Sequence, residues 1–282
     1  MKLSKVTPKM EYEVVSRQKR IINHIKIKVL DKGYVILRDV AGTDLTPVNA
    51  ARASFAKRSE RYNKADSRLL DFLIRETHDS PFRHCNIQFE ISAPMMIARQ
   101  WFKYRVGSTH GPDSMESNFI PAGDDNGFDD PMFARNQASH RYISSKHEFY
   151  ENVKFRGMHE DKKQGSSGTL SDTDQHLAND DLAYIQNKGL KLCEYWIERG
   201  MAPEQARLFI PAYGMYTTWY WTCSLAAAVH FLNQRLAHDA QAEITEYANA
   251  IHSLVYYYFP NILEKLPIGT PKNLIDLPPI GV

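Results

Sequence analysis

An α+β fold is predicted by three observations: period-two alternation in two early segments, helical spacing of apolar residues through the second half, and a polar break between them. Lys26 to Val40 alternates apolar and polar residues around Asp31-Lys32-Gly33, where a glycine after a polar pair permits the positive φ of a tight turn, so a β-hairpin is expected. Pro47 then opens a short helix through Lys57, and Asp66 caps a second helix carrying Leu69, Leu70, Phe72 and Leu73. Phe82 to Ala93 alternates again with Ile87, Phe89 and Ile91 on one face, and Pro94 starts a helix bearing Arg99-Gln100-Trp101-Phe102.

From Val106 to Arg135 the composition turns to Gly, Pro, Asp and Asn, which reads as a loop, and a second polar loop runs from His159 to Thr173. Leu182, Ile185, Gly189, Cys193 and Trp196 then recur at helical spacing until Gly200 ends the helix, and Pro203 begins the next. Thr217 to Arg235 and Asp239 to Phe259 are expected to complete a helical second half, the latter with Ile244, Tyr247, Ile251, Leu254 and Tyr258 on one stripe. The chain divides into an N-terminal extension over 1–28 and a single domain over 29–282 with a polar insertion at about 106–135.

The 282 residues are 43% hydrophobic, enough for a large core without disulfides. Lys and Arg (35) barely outnumber Asp and Glu (33), which argues against a broad nucleic-acid surface and makes any anion site local. Cys85, Cys193 and Cys223 lie far apart without metal-ligand or disulfide spacing, so a reducing cytoplasm is the expected location. No apolar stretch has the length of a membrane span. His78 with His84, and His230 with His238, lack the i, i+4 spacing and third ligand of a zinc site, so no metal is assigned; Asp124, Asp125, Asp129 and Asp130 read as solvated turn carboxylates.

Arg207 and Arg235 stand in apolar surroundings, Arg207-Leu208-Phe209-Ile210 and Phe231-Leu232-Asn233-Gln234-Arg235. A buried guanidinium needs an anionic partner, either a phosphate ligand or an internal carboxylate such as Glu204 for Arg207 and Asp239 for Arg235. Trp219-Tyr220-Trp221 and Tyr256-Tyr257-Tyr258 suit a ring-stacking site, although aromatic runs more often serve a core or a subunit interface.

Two stretches, Arg99-Gln100-Trp101-Phe102-Lys103-Tyr104-Arg105 and Asn136-Gln137-Ala138-Ser139-His140-Arg141-Tyr142, together resemble the signature of the flavin-dependent thymidylate synthases, in which Arg-His-Arg is followed after seven residues by Ser and an Arg-Tyr pair. Further matches follow in family order: Asn49-Ala50-Ala51-Arg52-Ala53-Ser54-Phe55, His78-Asp79-Ser80-Pro81-Phe82, Ala202-Pro203-Glu204-Gln205-Ala206-Arg207, and Phe231 to Arg235 with Gln241-Ala242-Glu243-Ile244. Ser114 offers a rival alignment to Ser139, but only Ser139 is followed by the family's Arg-Tyr pattern, at Arg141-Tyr142.

The resemblance implies a thymidylate synthase-like α+β fold with a mixed sheet, FAD as cofactor, NADPH and 5,10-methylenetetrahydrofolate as co-substrates, and a homotetramer that binds a pyrimidine deoxynucleotide monophosphate and a folate, without nucleic acid or membrane. It places Gln100, Arg105, Ser139, His140, Arg141, Arg207 and Arg235 on the nucleotide, with Arg235 as the catalytic residue that polarises the pyrimidine. Ser139 has no neighbouring base pattern and reads as a positioning contact rather than a nucleophile. Ser54, His78, Ser80, Lys103, Tyr104, Gln137 and His230 fall at cofactor positions. There the chain departs from its relatives: Lys103-Tyr104-Arg105 replaces Arg-His-Arg, Gln137 replaces a glutamate, and 33 residues separate Arg105 from Ser139 where the family has seven. The implied reaction is dUMP to dTMP; the departures also suit hydroxymethylation, dCMP as substrate, or a non-catalytic nucleotide-binding homologue.

Overall fold

The computed structural model describes residues 25–102, 147–159, 166–266 and 268, and the backbone of 134–137. β1 (Lys26–Val29) and β2 (Gly33–Ala41) form the expected hairpin, so the first strand begins inside the segment assigned to the extension. The turn works differently from expectation. The positive φ, 57°, belongs to Leu30, whereas Gly33 is buried and a Cβ there would stand 2.0 Å from the Tyr247 hydroxyl. Gly33 therefore answers a close approach from another element rather than a turn conformation.

α1 (Leu45–Arg52) holds Pro47 in its first turn, as its missing N–H allows, and continues into a 3₁₀ turn at Ala53–Phe55. α2 (Lys64–Arg75) is capped by Asn63 rather than Asp66. The Asn63 side chain accepts from Ala65 N (2.8 Å) and Asp66 N, while Asp66, at the third helical position, accepts from Asn63 N at 2.9 Å. A 3₁₀ turn, Ser80–His84, leads into β3 (Asn86–Pro94), and α3 (Met95–Trp101) starts after Pro94 as expected.

β4 (Ala134–Gln137) falls partly inside the expected insertion. β6 (Ser166–Thr169) lies in the stretch expected to be a loop and pairs with β5 (Arg156–Met158) just before it. α4 (Asp172–Glu198) ends before Gly200, whose φ of 90° is the left-handed exit expected of it. α5 (Pro203–Ala206) follows.

The largest correction is β7 (Tyr216–Ser224), expected to be the first part of a helix. Its burial alternates through Trp219, Trp221 and Cys223 with Thr218, Tyr220 and Thr222 between, the period of a strand rich in aromatic and β-branched residues. Ser224 is both the last strand residue and the N-cap of α6 (Leu225–Arg235), accepting from Ala227 N at 3.1 Å, so no glycine or proline marks the change. α7 (Ala242–Tyr258) and the short α8 (Pro260–Leu263) close the described chain.

The main sheet has the order β1-β2-β3-β7-β4, and every described pairing is antiparallel, which corrects the mixed sheet implied by the resemblance. Register aligns Leu37, Phe89 and Trp221 in one cross-strand row and Val35, Ile91 and Trp219 in the next. These side chains are buried with Ile244, Tyr247, Ile251 and Leu254 of α7 and Phe231 of α6 in one core. A smaller cluster, Phe149, Cys193, Ala206, Ile210 and Met215, lies between α4 and the chain after α5.

Candidate functional site

Gln100 and Arg235 sit at the ends of α3 and α6, and both ends are fixed from behind. Trp101, next to Gln100, is buried and packs against Phe231 (ring centroids 4.3 Å), Trp221 (5.4 Å), Trp219 (5.6 Å) and Tyr247 (6.0 Å). The conspicuous Trp219 and Trp221 are thus core residues, and Tyr247 donates to Ser92 O at 2.8 Å. Arg235 ends α6, and its carbonyl accepts from the Thr245 hydroxyl at 3.0 Å, tying the arginine's turn to α7.

The same turn carries Gln241, whose Oε1 accepts from Gln100 Nε2 at 2.5 Å. Gln100 and Arg235, far apart in sequence, are joined through one helix-to-helix connection. Behind it lies Glu243, 4% exposed, which accepts from Arg156 Nη2 at 2.9 and 2.7 Å and from Gln241 Nε2 at 2.9 Å. Burial pushes the Glu243 carboxyl up, but the Arg156 and Gln241 hydrogen bonds outweigh it and hold the group below its ordinary value.

Arg207 belongs to a different unit. It opens the 3₁₀ turn Arg207–Phe209, which packs on α4 and α5, and its Nε donates to Pro203 O at 3.2 Å rather than pairing with Glu204. Gly189 makes this packing possible, since a Cβ there would stand 2.5 Å from Phe209 O. The described residues therefore join Gln100 to Arg235 but place Arg207 on the smaller core.

The described cofactor candidates gather at another corner. Ser54 is exposed on the turn after α1; His78 and Ser80 are exposed beside the turn Ser80–His84, which packs on both α1 and α6. His230 of α6 is half-buried and feels the charge of Asp79. Burial lowers the His230 pKa and Asp79 opposes it, so the imidazole is neutral at pH 7 and can both donate and accept. Two non-glycine residues with positive φ, Ala56 (50°) and Thr77 (53°), stand next to these segments, and for a β-branched threonine this is a strained conformation that its surroundings must enforce.

One reason the corner holds its shape was missed from sequence. Asp66, fully buried, pairs with Arg52 at 2.7 Å and accepts from Ser59 Oγ at 2.8 Å. Asn49 brackets the Ser59 backbone, accepting from its N–H at 2.7 Å and donating to its carbonyl at 2.9 Å. The signal was present as Asn63-Lys64-Ala65-Asp66, a capping box that places a carboxylate under the helix start. Glu243 and Arg156 were missed as a pair because 87 residues separate them.

Lys103, Tyr104, Arg105, Ser139, His140 and Arg141 lie outside the described residues, as does the 106–133 part of the insertion; Gln137 is described as backbone in β4 only. All three cysteines are buried. Burial pushes the Cys85 thiol up to about 12 and raises Cys193 as well, so neither is a ready thiolate. No helix among the described residues is long and apolar enough to cross a membrane.

Comparison with known proteins gives a consistent result. Residues 36–261 match the family described as thymidylate synthase complementing protein. A flavin-dependent thymidylate synthase of Thermus thermophilus is 36% identical over 231 residues, covering 82% of this chain and 74% of that protein. Those of Thermosipho africanus (32% identical, 79% and 86% covered) and Ehrlichia ruminantium strain Gardel (30% identical, 91% and 79%) are also similar. Among solved structures, the UMP/dUMP methylase PolB from Streptomyces cacaoi, bound with 5-Br dUMP, superposes with a TM-score of 0.66 at 24% identity, covering 85% of this chain and 96% of that one, a likeness of fold.

Proposed function

This chain belongs to the flavin-dependent thymidylate synthase family, and on that premise we propose that it transfers a one-carbon unit from 5,10-methylenetetrahydrofolate to C5 of dUMP, giving dTMP. The observation that carries the reading is the state of the cysteines. Activating C5 through a thiolate added at C6 needs an accessible, ionisable cysteine, and Cys85, Cys193 and Cys223 are all buried. A route that dispenses with that thiolate fits the chain.

In this reading Arg235 polarises the pyrimidine and stabilises negative charge as it develops, a role that the fixed end of α6 suits because a preorganised charge needs no reorganisation during reaction. Gln100 orients the base or sugar, and Arg207 with Arg105, Ser139, His140 and Arg141 holds the phosphate. A bound flavin supplies the redox equivalents, with NADPH as the reductant. The corner of Ser54, His78, Ser80 and His230 fits such a group in its chemistry: hydroxyls and a neutral imidazole suit the acceptor-rich edge of a flavin ring. Lys103, Tyr104 and Gln137 are assigned to the same cofactor.

Assembly as a homotetramer is supported by apolar side chains left on α4 and the following turn, including Tyr184 (68% exposed), Leu177 (59%) and Leu208 (85%). A cytoplasmic location is part of the same proposal. The test is incubation of the purified chain with FAD, NADPH, methylenetetrahydrofolate and dUMP or dCMP tritiated at C5. Tritium release from dUMP with a product of methyl mass is the expected result. Release from dCMP alone, or a hydroxymethyl product, would redefine the reaction; a protein that binds dUMP but takes up no flavin and releases no tritium would overturn it.

A further inference from the structure

The chain Arg156–Glu243–Gln241–Gln100 has a direction that its end members impose. Arg156 can only donate and an ionised Glu243 can only accept, and their contacts are 2.9 and 2.7 Å. Gln241 therefore must turn its NH₂ toward Glu243, where it donates at 2.9 Å, and its carbonyl oxygen is left facing Gln100. Gln100 in turn must present its NH₂, donating at 2.5 Å. Reversing either amide would set oxygen against oxygen or NH₂ against NH₂. The two ends of an amide are otherwise interchangeable in shape, so it is the buried carboxylate that decides between them. Among the described residues Gln100 Oε1 has no partner, and Gln100 is only half-buried.

We infer that Glu243 is a positioning residue for substrate selection: acting through Gln241, it fixes the Gln100 carbonyl oxygen as the end that meets the nucleotide, so the site takes a ligand with a hydrogen-bond donor at that point. The inference rests on the assignment of Gln100 to the nucleotide. dUMP has two donors of this kind, N3–H of the uracil and the 3′-hydroxyl of the sugar, whereas dCMP keeps the 3′-hydroxyl but carries its base donor on the 4-amino group. Cytosine carries an acceptor at N3, so in the first case the amide polarity selects dUMP against dCMP. Setting acceptor against acceptor where the bound ligand displaces water is what makes such selection effective.

Equilibrium dialysis of the full chain with radiolabelled dUMP, dCMP and 2′,3′-dideoxyuridine monophosphate tests this. The wild type is expected to bind one of the two analogues at least about tenfold more weakly than dUMP, dCMP if the donor is N3–H and the dideoxy nucleotide if it is the 3′-hydroxyl. Glu243→Gln removes the obligate acceptor and is expected to shrink that ratio to roughly twofold. Gln241→Leu, which leaves the Arg156–Glu243 pair intact, should do the same should Glu243→Gln fail to fold, and Arg156→Lys should preserve the ratio. If folded Gln241→Leu or Glu243→Gln weakens all three nucleotides by one common factor, or none, the inference is wrong while the functional reading stands. If the wild type binds none of the three, the functional reading fails first and this inference with it.

Discussion

Two corners of the molecule are built on opposite plans. At the first, Gln100 and Arg235 stand at helix ends locked by the aromatic cluster around Trp101, by the Thr245 bond to the Arg235 carbonyl and by the buried Glu243–Arg156 pair. At the second, Ser54, His78 and Ser80 are exposed on short turns bordered by left-handed residues, with the Asp66 network bracing α1 and α2 beside them. The difference teaches where the chain has settled its geometry in advance. On the proposed function, Arg235, which would stabilise developing charge, is set before the ligand arrives, as preorganisation requires. The polar groups that would meet the cofactor on that same proposal are left exposed on their turns.

The comparison breaks most easily at Asp66. Asp66→Asn leaves Arg52 half-paired in a buried network and is expected to cost about 3–5 kcal/mol of stability. In denaturant titrations and flavin-absorbance measurements the variant should unfold earlier and lose flavin, while retaining affinity for dUMP; an equal loss of both ligands would mean the two corners are not separate. Arg235→Ala probes the other corner. Tritium release from dUMP is expected to fall about 10²- to 10³-fold with flavin content unchanged, the scale for removing one preorganised charge-stabilising group. Unchanged release would remove Arg235 from the chemistry.

The smallest effect is on pH. Burial holds both His230 and His252 below the ordinary value of 6.5, with Asp79 opposing the shift at His230. As pH falls through 6.5 toward the lowered folded values, the unfolded chain takes up protons that the folded one refuses, so stability declines across that window and is flat above it. A drop in Tm of roughly a few degrees is expected on acidification, and His252→Phe should flatten it. A flat Tm in the parent protein would show that these imidazoles are not buried as described.

How much of this was legible depended on how local each signal was. The hairpin, Ile87 to Ile91, and the stripe of α7 could be read because their periodicity is complete within one element. Tyr216 to Ser224 was misread because strand runs into helix with no breaker and a serine serving both. The β5–β6 pair escaped because Ser166-Ser167-Gly168-Thr169 is polar and exposed, leaving no burial pattern to find. For the site, apolar surroundings pointed to Arg235 and the family resemblance to Gln100, but the partners that orient them come from distant segments. Arg156 reaches Glu243, and Gln100 reaches Gln241, only once the chain has folded.

The central strand pair has its own consequence for how the protein comes to exist. β3 is matched residue for residue to β7, with Asn86 opposite Ser224, so the middle of the sheet joins an early part of the chain to a late one. During synthesis the hairpin β1–β2 and β3 emerge with one apolar face uncovered and must wait for β7, α6 and α7 to be translated. Pairings this distant in sequence are slow to close and leave strand edges exposed meanwhile. This protein is accordingly expected to depend on chaperones as it leaves the ribosome, and a chain stopped before Tyr216 should aggregate rather than form a smaller version of the fold.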